Sequence, residues 1–416
     1  MFNSSLFQTR RQKLVEQLAD NALLVLFSGV APHMSRDASY PFHVNRNFYY
    51  LTGLDRENMA LLIAKKNGAV STTAFIEIVD PLEEKWTGKR MRAEEAKSRS
   101  GIDDIDNVTH LQDVFARLLI DGAFDTLYLD IEQSGWSQTA TAAHRFAQEV
   151  GTRYPTLQLN NVYPQICRLR SVKDAAEVEA IRKAIQITKD GIENMMKNAQ
   201  PGNMEYEIEA DFDYALARHG VREHAFPSII ASGERATILH YVENNMQTGE
   251  TDLVLCDLGA SYSYYSADIT RTFPVSGQFT DRQKQLYEIV LMAMDETIAA
   301  IKLGMTYKEL NDVTRATLAR ELKKINLITN DEELSNYYYH GVSHPLGLDT
   351  HDVGGREWPI EAGTVLTIEP GLYIAEEGIG IRIEDDVLVT EQGVENLSAD
   401  IIKRVADIEA FMRIKA

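Results

Sequence analysis

Apolar runs and helical repeats alternate through the first part of the chain. Residues 22–28 (ALLVLFS), 60–64 and 71–79 are apolar or β-branched enough to predict strands, 111–120 carries a helical repeat, and 126–131 predicts a further strand. Strands interleaved with helix predict an α/β domain over residues 1–170. No Gly/Ser-rich linker follows. The charged stretch 168–174 leads instead into a long amphipathic helix with Val178, Ile181, Ala184 and Ile185 on one face, stopped by Pro201-Gly202.

The pattern then changes. A second helix starts near Met204 and ends at Gly220, and two more open on Thr280 with Gln283 and on Thr306 with Glu309. In each of these capping boxes the threonine oxygen satisfies an orphan amide while the longer side chain reaches back. Strands are predicted over 252–258, 267–275, 364–369 and 379–390. Helices set apart from antiparallel-type strands make residues 171–416 an α+β domain, and α+β the class of the whole chain.

Composition narrows the function. Among 416 residues, Lys and Arg number 42 against 62 Asp and Glu, a formal charge of −20. Nucleic-acid and anionic-membrane binders need clustered cations, so both partner classes are excluded as expectations. No run approaches the roughly 20 apolar residues of a membrane span. The start, MFNSSLFQTRRQKLVEQL, has no apolar core of the secretory kind. Cys167 and Cys256 form neither a disulfide framework nor a zinc pattern and read as small buried residues. A cytoplasmic protein is the expectation.

Four carboxylates stand out against this background. Asp257 follows the apolar run 253–256, where a lone charge is costly unless paired or metal-bound. Asp268 lies across the polar turn 261–266, so a hairpin brings the two to one end of a sheet. Glu369 ends the run 365–368 and is followed by Pro370-Gly371, which predicts a turn. In Gly380-Ile-Arg-Ile-Glu384, period-2 alternation sets Arg382 and Glu384 on one face. Antiparallel pairing of the strands through Glu369 and Glu384 makes their carboxylates meet. Each of these taken singly reads as an ordinary strand residue. The segment HGVSHPLGLDTHD then places His340, His344 and His351 within twelve positions, three of only ten histidines. Two Asp, two Glu and one His make an oxygen-rich set suited to two divalent ions, manganese above thiolate-seeking metals. Two close ions lower the pKa of a shared water and polarise a carbonyl, the chemistry of metal-assisted hydrolysis.

The segments CDLGASYSYYSADITRTFPVSGQFT, HGVSHPLGLDTHD, TIEPGLYI and GIRIEDDVLVT resemble the pita-bread metallopeptidases, and within them the Xaa-Pro aminopeptidases. The resemblance spans nearly the whole chain and is strongest from about residue 174 onward; NFYYLTGLD and EKWTGKRM carry it in the N-terminal domain. It implies a C-terminal pita-bread catalytic domain. It further implies that Asp257, Asp268, His344, Glu369 and Glu384 bind two metal ions, with Asp268 and Glu384 bridging and Glu369 also the general base. His351 and His340 would then bond the substrate and the tetrahedral intermediate, and His240 in ILHYVENN would contact substrate. Arg382 matches a family arginine that positions active-site groups, and Trp86 an aromatic that walls the substrate pocket. Thr350 is a departure: relatives carry Val or Ile before the histidine, so a hydroxyl is added near the site.

The activity implied is release of the first residue from peptides with proline second. Xaa-Pro dipeptidases (prolidases) are the near alternative, and a non-catalytic peptide binder on the same fold is a third, which such relatives reach by losing ligands. Creatinase-like hydrolases share the fold without the metal set. Family members form homodimers or homotetramers, and that is the expected assembly.

Overall fold

The structure, a computed structural model, describes residues 2–120, 122, 124–132, 135–355 and 357–413. The chain separates into two compact units, the first ending at Arg170 and the second beginning at Ser171.

In the first unit, β1 (Ala22–Phe27), β4 (Ala60–Lys66), β5 (Ala69–Ile76), β6 (Asp104–Asn107), β7 (Thr126–Leu129) and β8 (Gln158–Asn161) form one sheet, ordered β6-β5-β4-β1-β7-β8. β2 (His33–Ser35) and β3 (Ala38–Ser39) form a separate short hairpin. The sheet is mixed: β1–β4 and β4–β5 are antiparallel, whereas β1–β7, β7–β8 and β5–β6 are parallel. β1 reads as an unbroken apolar run because it is buried on both faces. Leu23, Val25, Leu62, Phe75, Leu127 and Leu129 meet Phe115 and Phe146 from flanking helices in the core. The helices Ser4–Glu16, Arg46–Thr52 and Ala142–Arg153 add to the elements read from the sequence.

The second unit begins with the helix Ala175–Asn198, capped by Asp174 and Glu177 in a reciprocal box. Val178, Ile181, Ala184 and Ile185 are buried, as the periodicity requires. The helices Asp281–Ala300 and Tyr307–Lys324 start at the capping boxes of Thr280 and Thr306. The strands are β9 (Ile229–Ser232), β10 (Leu253–Leu258), β11 (Ser261–Tyr262), β12 (Tyr265–Ser266), β13 (Ile269–Pro274), β14 (Val365–Ile368), β15 (Gly371–Ile374), β16 (Ile379–Arg382), β17 (Asp385–Thr390) and β18 (Gly393–Asn396). They form the sheets β13-β10-β9 and β14-β17-β18 and the pairs β11–β12 and β15–β16, antiparallel throughout. The α+β reading therefore holds.

Two expected strands are broken, and both breaks fall at acidic residues. The stretch 267–275 yields only β13, leaving Asp268 just outside the ladder. The stretch 379–390 divides between two sheets at Ile383-Glu384. Pro370 does not turn the chain. β14 pairs with β17 and β15 with β16 in one continuous register, Ile368 opposite Asp385 and Gly371 opposite Arg382, which sets Glu369 opposite Glu384. Proline donates no amide, so it interrupts the ladder without reversing it. The amide of Glu384 points out of this ribbon and donates to the carbonyl of Thr270 at 3.1 Å, tying the ribbon to β13.

Candidate metal centre

β10 and β13 bring the two aspartates together, with Leu258 opposite Ile269 and Asp257 opposite Thr270. Their closeness requires a glycine. A Cβ on Gly259 would stand 1.8 Å from the carbonyl oxygen of Ala267. The interrupted ribbon supplies Glu369 and Glu384. The histidine segment is laid against β14: the N–H of Glu369 donates to Val342 O at 2.8 Å, that of Thr367 to His344 O at 3.0 Å, and that of His344 to the Thr367 hydroxyl at 3.2 Å.

Ligand-type atoms of Asp268, His344 and Glu384 lie within 4.8 Å of one another. His344 presents Nε2 to Asp268 Oδ2 at 3.3 Å and to Glu369 Oε1 at 3.8 Å, while its Nδ1 donates to Pro345 O at 3.0 Å. A ring nitrogen that faces carboxylate oxygens is satisfied there by a shared proton or by a metal ion. Fixing the other nitrogen on a carbonyl is the usual way a ligating imidazole is oriented. Asp257 Oδ2 accepts from Arg382 Nη2 at 2.6 Å, whereas its buried Oδ1 has no hydrogen-bond partner among the described residues.

Electrostatics point the same way. Burial, with mutual repulsion, pushes the carboxyls of Asp268 and Glu384 well above their usual range. Burial raises that of Glu369 to about 7. Carboxyls so placed hold protons or share cations. The orphaned Asp257 oxygen, the inward-facing His344 nitrogen and the crowded acids therefore fit divalent metal.

Arg382 is the buried cation that organises the rest. Its Nε donates to the Thr270 hydroxyl at 3.2 Å, and that hydroxyl donates to Glu384 Oε2 at 2.6 Å. Its Nη1 donates to the Tyr373 hydroxyl at 3.0 Å, which meets His340 Nε2 at 2.7 Å. Burial and the Arg382 charge push the His340 imidazole down to about 4, so it is neutral near pH 7. Its Nδ1 lies 2.8 Å from the Gly341 carbonyl and must donate there, which makes Nε2 the acceptor of the tyrosine proton. The relay thus runs from Arg382 through Tyr373 to His340. Thr270 and Tyr373 are absent from the sequence reading, although Thr270 sits a strand-period from Asp268 and so shares its face.

The remaining residues are placed less closely. The His351 ring packs on that of His344, edge to face, with centroids 4.3 Å apart. The His240 side chain is exposed, and a positive charge there would lower the imidazoles of both His340 and His351. Trp86 belongs to the first unit, on the helix Glu84–Thr87, and is 86% exposed. The Thr350 hydroxyl donates to Ala225 O at 3.1 Å, so the departure is absorbed by backbone. Tyr338 and Tyr265 are buried and bonded to Asn311 and Glu177, whereas Tyr339 is exposed and donates to Thr237 O.

Comparison with known proteins gives the family. Residues 179–391 match metallopeptidase family M24, and residues 7–128 match the aminopeptidase P N-terminal domain. An Xaa-Pro aminopeptidase of Haemophilus influenzae is 34% identical over 98% of this chain and 96% of its own length. The chain belongs to metallopeptidase family M24. Among M24 structures, that of a candidate aminopeptidase P from Bacillus anthracis is similar with a TM-score of 0.98 and 49% identity, covering 100% of both chains. Aminopeptidase P of Escherichia coli with the inhibitor Pro-Leu gives 0.91 and 32% identity, covering 100% of this chain and 99% of that one. The two-domain fold is therefore the aminopeptidase P fold of the M24 family, and this member is a metallohydrolase.

One consequence of the Thr270 contacts is measurable. Thr270→Val keeps the shape but removes the hydroxyl that joins Arg382 to Glu384. Leaving the buried Arg382 Nε unpartnered is expected to cost about 1–3 kcal/mol of unfolding free energy. Loosening of a ligand's support is expected to weaken metal affinity roughly 10–100-fold. Denaturant midpoints and metal titration check both, and a variant equal to wild type in each would refute the bridging role.

Proposed function

We propose that the protein is an Xaa-Pro aminopeptidase whose Asp257, Asp268, His344, Glu369 and Glu384 hold two divalent ions, manganese by preference. The observation that carries this is the convergence of Asp268, His344 and Glu384 within 4.8 Å, beside the orphaned oxygen of Asp257. Asp268 and Glu384, at the breaks of two strands, would hold the ions together with Asp257, His344 and Glu369. When bound, the metal supplies a nucleophile near neutrality and polarises the scissile carbonyl.

The chain's own groups do the rest. Glu369, partly buried with its oxygens 3.8 Å from His344 Nε2 and 3.7 Å from His340 Nδ1, takes a proton from the attacking species and returns it to the leaving nitrogen. His340, kept neutral by burial and the Arg382 charge and oriented by Tyr373, contributes as a positioned dipole beside the reacting carbonyl. His351 and His240 contact the peptide. Arg382 fixes Asp257 and the Thr270–Glu384 pair. Proline has no amide hydrogen, so a site that does not depend on that donor suits its ring. Two buried cysteines, neither in a disulfide, accord with a reducing cytoplasm, and a homodimer or homotetramer is the assembly proposed.

A peptide-length series tests this reading. Manganese-loaded protein is expected to release the first residue from an Xaa-Pro-Xaa tripeptide at least about tenfold faster, in kcat/KM, than it splits the matching Xaa-Pro dipeptide. Preference for the dipeptide would make it a prolidase. No cleavage by a fully metallated sample would overturn the peptidase reading.

A further inference from the structure

The loop that carries His240 is held at both ends by a single buried carboxylate. Glu205 opens the helix Glu205–Arg218 and is fully buried. Its Oε1 accepts from the Ser232 N–H at 2.8 Å, the Ser232 hydroxyl at 2.7 Å and Arg235 Nε at 3.3 Å. Its Oε2 accepts from the Tyr241 hydroxyl at 2.8 Å and the Met246 N–H at 3.0 Å. Its own N–H donates to Met246 O at 2.9 Å. Ser232 ends β9 where the loop leaves the sheet, Tyr241 adjoins His240, and Met246 lies where the loop returns.

Two further contacts stiffen the loop. Asn244, at a φ of 45°, accepts from the Ile230 N–H at 2.9 Å and donates to Ser228 O and Glu209 Oε2, each at 2.9 Å. Residues 233–237 lie on β16, the strand of Arg382, so closely that a Cβ on Gly380 would be 2.1 Å from Ala236 O. A buried carboxylate with donors on both oxygens cannot release one without leaving a buried polar group unpaired. An apolar residue of similar size would fill the space. The carboxylate does what packing cannot, fixing the loop's path at named backbone and side-chain atoms.

We propose that Glu205 is a positioning residue that sets where His240 stands toward the substrate. This rests on the peptidase reading for its effect on rate. Glu205→Gln keeps the volume and turns one acceptor into a donor, facing the donors on one side of the carboxylate. In manganese-loaded protein, kcat/KM for an Xaa-Pro-Xaa peptide is expected to fall about tenfold, the lower end for loss of a supporting hydrogen bond. In a His240→Ala background the same change is expected to alter kcat/KM less than about twofold, because the residue through which it acts is gone. An equal fall in both backgrounds, or no fall in the first, overturns the proposal. Tyr241→Phe, which removes one donor and leaves the carboxylate in place, carries the same cycle should Glu205→Gln fail to fold. Amide exchange gives a readout independent of activity: the N–H groups of Ser232 and Met246 are expected to exchange faster in either variant. Unchanged exchange overturns the clamp. A wild-type protein that cleaves no Xaa-Pro peptide sinks the peptidase reading instead, and exchange still decides whether Glu205 orders the loop.

Discussion

Glu384→Gln is expected to lower kcat/KM for an Xaa-Pro tripeptide by about three orders of magnitude, equivalent to ~4 kcal/mol of transition-state stabilisation. The substitution is nearly isosteric, and the Thr270 hydroxyl that reaches Glu384 Oε2 at 2.6 Å can still donate to an amide oxygen. The fold is therefore retained while the ligand is not. Glu384 stands opposite Glu369 in the ribbon and beside Asp268 and His344, so its charge is crowded by neighbouring acids. That crowding gives a second, opposite effect. Without metal, burial and the neighbouring acids hold its carboxyl well above the usual range, which marks the ionised form as destabilising there. Metal-free Glu384→Gln should melt above metal-free wild type. Added manganese should raise the wild-type melting point, since free metal at about a hundred times its Kd stabilises by ~2.7 kcal/mol, and should barely move the variant. Kinetics, and melts with and without chelator, check the three outcomes. A variant within tenfold of wild-type activity, or one that melts several degrees lower without metal, would remove Glu384 from the centre.

What the sequence reveals about this region depends on the range of the interaction. Period and caps are local, so the helices begun by Asp174, Thr280 and Thr306 and the strand carrying Asp257 are legible residue by residue. The same holds for the shared face of Arg382 and Glu384, whose side chains both reach the Thr270 hydroxyl. Breaks in strands are not local. Ile383-Glu384 keeps a β-type sequence; the ladder is weakened there because Pro370, opposite Ile383, has no amide to donate, while the Glu384 amide points away to Thr270 O on β13. Pro370 misleads for the same reason: a proline read alone predicts a turn, whereas here it lies in a ribbon whose register continues past it. Thr270 and Tyr373 look like ordinary strand residues. Their part depends on Arg382 lying between them, a contact across more than a hundred residues in the case of Thr270. The order of acids and histidines is thus visible in the chain, but the hydrogen-bonded frame behind them is visible only when folded.

Metal-free protein and its Glu369→Gln variant are expected to diverge in stability as pH rises, and the sign follows from burial. Glu369 ionises at 4.5 in an unfolded chain and at about 7 in the folded one, chiefly because burial penalises its charge. Between those values the folded state keeps a proton that the unfolded state has released, so unfolding free energy falls as pH rises. The contribution is fully present below pH 4.5 and is lost as pH passes about 7. Its size is on the order of 3 kcal/mol at 1.36 kcal/mol per unit of pKa. His340 acts oppositely. Its imidazole falls from 6.5 to about 4 on folding, so it withdraws stability as pH drops through that interval. Wild type alone would therefore show a blunted slope. Because His340 is present in both proteins, the difference between wild type and Glu369→Gln isolates the glutamate. That difference should favour wild type by more near pH 5 than near pH 8, read from denaturant midpoints in chelator. Manganese should reverse the trend, because a ligating carboxylate must be ionised and acid competes with the metal for it. A pH-independent difference in chelator would mean that Glu369 is solvated and ionised in the folded protein. A buried base at the metal centre would then have no support, and the proton transfer assigned to Glu369 would have to pass to another group.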